Sequence, residues 1–120
     1  MLTSIGKFLR KLRIDEGEIL KDMAGKLGVT VSFLSAVENG KKRMPSAWNS
    51  QICELYDLDE KQREKFTTAI AETENSVEMN LFDQNLQKRE LAVSFARIFS
   101  DIDEEQVAAI KKILYGGKNK

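Results

Sequence analysis

The sequence has no histidine, one proline and a single cysteine, Cys53. Without histidine the chain lacks the commonest metal ligand and the usual general base near neutral pH. One cysteine excludes an intramolecular disulfide, which fits a reducing compartment. No apolar run approaches the ~18 residues of a membrane span, and the N-terminus shows no signal-peptide core. These absences predict a cytoplasmic protein with no metal site, no cofactor and no membrane partner.

The acidic residues give no sign of a catalytic site, because they fall at helix caps and on polar helix faces. The stretch "GKLGVT" has neither the length nor the lysine placement of a phosphate-binding loop. Cys53 has no histidine to activate it and is interpreted as a core residue. We therefore expect no catalytic residue and no enzymatic activity.

Charge is balanced over the chain but uneven along it. Residues 1–50 are net +4, residues 51–83 net −6 and residues 84–120 net +2. The basic first part favours an anion-binding surface there, although chance clustering on solvated faces would give the same counts.

Apolar residues recur at helical spacing nearly throughout, and no alternating strand pattern occurs. Asp59 and Gln62 predict a capping box, as do Asp103 and Gln106, and Ser46 is placed to cap the helix after Pro45. The class is all-α. The predicted organisation is a five-helix domain at 1–74, a linker at 75–85 and a C-terminal helical hairpin at 86–120.

Gly28 interrupts an otherwise good helical stretch. A glycine supplies the positive φ of a tight turn between two short helices, which together make a helix-turn-helix. The small Ala24 lets the helices cross closely, with Leu34 and Val37 facing the core. A helix that stands out in this way is shaped to enter the DNA major groove.

The stretch "LKDMAGKLGVTVSFLSAVENGKKRMP" resembles the helix-turn-helix of the phage-repressor and Cro-type (XRE) family. Ala24, Gly28, Leu34 and Val37 match that family's small residue, turn glycine and two apolar anchors. The likeness covers roughly residues 3–70. It implies a lambda-repressor-like domain and double-stranded DNA as the partner. It also implies a structural ion pair between Arg13 and Glu38.

The resemblance places the recognition helix at about 30–39. Thr30 matches a capping and phosphate-contacting position, and the next residues match base-facing ones, although an ordinary solvated face is the alternative. The expected DNA-binding residues are Thr30, Val31, Ser32, Ser35, Ala36, Asn39, Lys41, Lys42 and Arg43. Ile19 and Leu20 replace the family's usual cap and glutamine. With few Arg, Asn or Gln side chains on the helix, we expect modest sequence specificity.

The C-terminal hairpin carries apolar stripes that it cannot bury alone. The expected dimer or partner contacts are Leu91, Phe95, Ile98, Val107, Ile110 and Leu114. These faces are open to the N-terminal domain, a second subunit or another protein. Because the resembling family acts as dimers on inverted repeats, the favoured function is a dimeric transcriptional regulator, a repressor. The alternative is an antitoxin that autoregulates its operon and binds a toxin through the C-terminal helices.

Overall fold

The computed structural model describes residues 1–116, and all regular structure among them is helical. The all-α class is therefore confirmed for that part of the chain. Residues 117–120 of the predicted extension lie outside the described residues. The helices are α1 (Ser4–Glu16), α2 (Leu20–Leu27), α3 (Val31–Glu38), α4 (Trp48–Leu55), α5 (Glu60–Thr73), α6 (Leu86–Ile98) and α7 (Glu104–Lys111), with a 3₁₀ turn at Phe99–Asp101 and a π-helical turn at Lys112–Gly116.

The chain divides into a compact unit, Met1–Glu78, and a second unit that begins at Met79. Helices α1–α5 of the first unit share one core. Its members are Ile5, Leu9, Leu12, Met23, Ala24, Leu27, Leu34, Val37, Met44, Trp48, Ile52, Cys53, Tyr56, Leu58, Phe66 and Ala69. Burial of each large side chain contributes about 1.5–3 kcal/mol. Helices α2 and α3 have eight residues each, and helices shorter than ~12 residues are marginal alone. Packing against this core therefore supplies most of their stability.

Gly28 ends α2 in the left-handed conformation, with φ 71° and ψ 30°. Its N–H donates to the Gly25 carbonyl at 3.2 Å, and the Val29 N–H donates to the Ala24 carbonyl at 3.0 Å. This pair of bonds satisfies the last carbonyls of the helix and turns the chain sharply. The positive φ expected from the sequence is present at this residue, and α3 begins shortly after it.

The starts of α5 and α7 are fixed by side chains, whereas the start of α4 is not. Asp59 with Gln62 and Asp103 with Gln106 form the predicted capping boxes. The prediction that Ser46 caps α4 is wrong, because no side chain caps that helix. Instead the Pro45 carbonyl accepts from the Trp48 N–H at 3.0 Å, so a backbone turn leads into the helix.

The second unit has helices without a buried side. No residue of α6 or α7 is buried, and both carry large apolar side chains. The division of the chain into residues 1–74, 75–85 and 86–120 stays a prediction. Within residues 1–116, no helix is both long and apolar enough to cross a membrane.

Gly28→Val is expected to lower the free energy of unfolding by about 1–3 kcal/mol, because a β-branched residue resists positive φ. A Cβ at this position meets no atom within 4 Å, so the loss measures backbone strain and not a clash. Urea denaturation gives the value. The control is Gly25→Ala, at an equally open helical position, where a gain of about 0.5–1 kcal/mol is expected. Unchanged stability of Gly28→Val would contradict the turn conformation.

Candidate nucleic-acid interface

Helix α3 presents its N-terminal end to solvent. The Thr30 hydroxyl oxygen accepts from the Phe33 N–H at 3.0 Å and caps the helix. Thr30, Val31 and Ser32 are exposed, and Ser35 and Ala36 are half-buried one turn later. These five residues form one continuous strip, which we call the leading face of α3.

The opposite side of α3 lies in the core. Leu34 and Val37 are buried against the core of the first unit, which includes Met23 and Ala24 of α2. Phe33 packs edge-to-face on Trp48, with ring centroids 6.1 Å apart. Burial of this side leaves α3 little freedom to rotate about its axis, so the leading face is held outward.

The C-terminal end of α3 is closed by its own chain. The Asn39 side-chain amide donates to the Ser35 carbonyl at 2.9 Å, so this predicted DNA contact serves a local bond. Gly40 adopts φ 76°. The backbone N–H groups of Lys41 and Lys42 then donate to the Ala36 carbonyl at 2.8 and 3.2 Å. The loop therefore folds back against the helix and carries its cations beside it.

The three cations of this loop differ in their surroundings. Lys41 and Lys42 are exposed, and neither is ion-paired among the described residues. Arg43 instead lies 3.5 Å from a Glu74 carboxylate oxygen through its Nε, and it donates hydrogen bonds to Ser76. Only the two lysines thus present uncompensated charge to solvent.

Arg13 of α1 and Glu38 of α3 form a buried ion pair. Arg13 Nη1 and Nη2 donate to separate oxygens of the Glu38 carboxylate, the second at 3.2 Å. Nη1 also donates to the Met23 sulfur at 3.3 Å. The two side chains are 10% and 5% exposed, so the charges are desolvated and depend on each other.

A family model for a helix-turn-helix domain matches residues 4–66, slightly more than half of the chain. The chain belongs to the helix-turn-helix domain family. No curated protein and no solved structure matches it. In this helix-turn-helix domain α2 and α3 are the two crossing helices, and Gly28 lies in the turn between them. Membership in the family supports a DNA-binding protein.

Besides the Arg13–Glu38 ion pair, a second set of contacts holds the end of α3, and sequence reasoning missed it. The backbone N–H and the hydroxyl of Thr3 both donate to the Glu38 carbonyl, at 3.0 and 3.2 Å. A Cβ on Gly6 would lie 2.2 Å from the same oxygen, so glycine is required for this approach. The available signal was a glycine inside a helix with apolar periodicity, which costs stability unless packing requires it.

A polar cluster that joins Glu18, just before α2, to Lys26 in the last turn of α2 was also missed. The Tyr56 hydroxyl donates to Glu18 at 2.7 Å, and Lys26 pairs with the same carboxylate while lying 4.6 Å from the Tyr56 ring centroid. Burial raises the pKa of Tyr56, and Glu18 raises it further. Burial also acts to raise the pKa of Glu18, but hydrogen bonds from Lys26 and Tyr56 outweigh it and lower that pKa. The cluster ties the first helix of the helix-turn-helix to the end of α4.

The residues predicted for dimer or partner contacts lie in the second unit. Phe95 and Ile110 are half-buried, and the others are exposed. The Phe95 and Phe99 rings pack edge-to-face at 5.6 Å. Among the described residues, no group of three or more His, Cys, Asp or Glu side chains is placed to hold a metal ion.

Glu38→Gln is expected to lower the free energy of unfolding by about 3–5 kcal/mol, because it leaves the Arg13 charge buried without a partner. Arg13→Met with Glu38→Leu removes both charges and is expected to recover most of the loss. Urea denaturation of Glu38→Gln and of the double variant measures the two free energies of unfolding. The control is Asp15→Asn at the exposed Lys11–Asp15 pair, where a loss below about 1 kcal/mol is expected. A double variant no more stable than Glu38→Gln would contradict the role of charge burial.

Proposed function

We propose that this chain is a DNA-binding transcriptional repressor of the XRE and Cro type, acting as a homodimer on an inverted-repeat operator. The observation that carries the proposal is the leading face of α3, held outward beside the exposed Lys41 and Lys42. The family match over residues 4–66 supports the DNA-binding part.

Phosphate contacts supply most of the affinity in this proposal. Lys41 and Lys42 follow the end of α3 after two intervening residues and carry charge that no carboxylate of the described residues neutralises. Lysines beside a groove bind the DNA backbone without reading sequence. The N-terminal end of α3 adds a partial positive charge at Thr30.

In this proposal, small side chains on the leading face of α3 contact the DNA bases. The hydroxyls of Ser32 and Ser35 donate or accept at base edges, and Val31 and Ala36 fit a thymine methyl group. Val31 is 41% exposed, so an apolar contact of this kind also removes it from water. With no bidentate side chain on the leading face, sequence-dependent DNA shape contributes to specificity.

The second unit supplies the dimer interface in this proposal. Its apolar side chains include Leu91, 69% exposed, and Leu114, 58% exposed, and burying such surfaces drives association. Helix α6 carries Lys88, Arg89 and Arg97 against one Glu90, whereas residues 101–105 carry four carboxylates and no cation. A second copy that sets its acidic segment beside α6 pairs opposite charges, which favours self-association.

Lys41→Ala with Lys42→Ala is expected to weaken binding to all DNA duplexes and to reduce the slope of log affinity against log salt by about 1–2 units, because phosphate contacts are lost. Fluorescence anisotropy with a labelled random-sequence duplex over a salt series measures both. The matched control is Lys61→Ala with Lys65→Ala, which removes the same charge from exposed positions of α5. Equal losses in the two variants would show that net charge alone acts, and this would contradict the placement of the loop on DNA.

Phe95→Asp with Ile110→Asp is expected to convert a dimer into a monomer and to lower operator affinity at least about tenfold, since linked binding to two half-sites is lost. Sedimentation velocity and binding to a duplex selected from a random pool measure the two effects. Gln87→Asp with Ser94→Asp is the control, adding the same charge at exposed polar positions of α6. If the wild-type chain sediments as a monomer and binds its selected duplex no more tightly than Phe95→Asp with Ile110→Asp does, the homodimer is contradicted. Another protein, such as a toxin, is then favoured as the partner.

A further inference from the structure

Of the three cations in the α3–α4 loop, Arg43 differs from the two lysines because its guanidinium contacts acceptors in the described part of the chain. Its Nη1 donates to the Ser76 hydroxyl at 2.7 Å, and its Nη2 donates to the Ser76 carbonyl. Its Nε lies 3.5 Å from a Glu74 carboxylate oxygen. All three guanidinium nitrogens therefore face oxygens of the segment that follows α5.

These oxygens take the positions that a phosphate group needs. A guanidinium binds phosphate bidentately through Nη2 together with either Nη1 or Nε. Ser76 accepts one N–H of Nη1 and one of Nη2, and the Nε side of the guanidinium faces the Glu74 carboxylate, so a phosphate that binds bidentately competes with Ser76 on one edge and meets Glu74 on the other. The Arg43 side chain nevertheless stays 49% exposed, so its partners are exchangeable with solvent-borne groups.

Glu74 is held in place by the end of α5. Its N–H donates to the Ile70 carbonyl at 2.8 Å, and its side chain is only 14% exposed. The preceding Thr73 hydroxyl donates to the Ala69 carbonyl at 2.8 Å and accepts from the Ile5 N–H at 3.2 Å. The Glu74 backbone is thus fixed by the fold of the first unit, and its side chain is mostly buried beside Arg43.

The loop and the end of α5 also share one groove. Lys41, Lys42 and Arg43 line it from the loop, and Glu74 and Asn75 line it from the other side. A DNA phosphate that approaches Arg43 in this groove meets the Glu74 carboxylate, and like charges repel.

We propose that Glu74 and Ser76 form an internal competitor for DNA phosphate, an autoinhibitory contact that withholds Arg43 from the backbone until the contact opens. This inference rests on the proposed function, because it requires the loop to lie on DNA. It makes Glu74 a residue that limits affinity for every DNA sequence alike, since phosphate contacts carry no base information.

The test is Glu74→Gln, which keeps the shape and the acceptor oxygen but removes the charge. Loss of the Glu74 charge weakens the hold on Arg43 and removes the repulsion of phosphate, so it is expected to tighten binding of a labelled random-sequence duplex about two- to fivefold at low salt and to steepen the salt slope by about one unit. Glu72→Gln is the matched control, because Glu72 is an exposed carboxylate two residues earlier that is not ion-paired among the described residues. Thermal melting checks that both variants remain folded.

Arg43→Ala distinguishes competition from general electrostatics. In that background Glu74→Gln is expected to have no more effect than Glu72→Gln. If Glu74→Gln raises the DNA affinity equally with and without Arg43, the proposal is overturned. Weaker DNA binding by Glu74→Gln would also overturn it, because it would show that Glu74 positions Arg43 for DNA. If Lys41→Ala with Lys42→Ala weakens binding but Glu74→Gln changes nothing, only the competitor is overturned. If neither alters binding, the placement of the loop on DNA fails as well.

Discussion

The buried pair of Arg13 and Glu38 is the constraint on which the orientation of α3 depends. Its two charges are nearly excluded from water, so each is tolerable only while the other holds it. The pair therefore fixes the C-terminal end of α3 to α1 with bidentate geometry. Gly6 and Thr3 complete the junction at the Glu38 carbonyl. Because α3 has only eight residues, fixing one end and burying one side determine where its leading face points.

The exposed residues of α3 are few and small. Leu34, Val37 and Glu38 of α3 are buried, so only the narrow leading face is exposed to a ligand. The adjoining loop supplies the charge that this face lacks. In the proposed function, positioning and affinity therefore belong to different segments: the core sets the angle of the helix, and Lys41 and Lys42 attract the anionic partner. Such a division suits a binding surface that reads little sequence directly.

Features set by neighbours in the sequence were predictable, and features set by distant contacts were not. Gly28 and the capping boxes act over three or four residues, so residue type and spacing revealed them. Ser46 failed as a cap because the turn after Pro45 supplied backbone acceptors instead. The Arg13–Glu38 pair was expected only through family resemblance. The Glu74 contact to Arg43 joins residues far apart in sequence, and no periodicity encodes it. The leading face of α3 was indicated by the sequence, but its function as a DNA contact stays a prediction.

Helix α4 carries both the only tryptophan and the only cysteine of the chain. Trp48 is 3% exposed and Cys53 is 8% exposed, and the Cys53 thiol donates to the Asn49 carbonyl at 3.3 Å. A thiol reagent reaches Cys53 only when this helix opens, so its labelling rate reports the free energy of opening. Tryptophan fluorescence follows the same helix by an independent signal. The first unit therefore contains two native reporters of its integrity, and neither lies in the segment that begins at Met79.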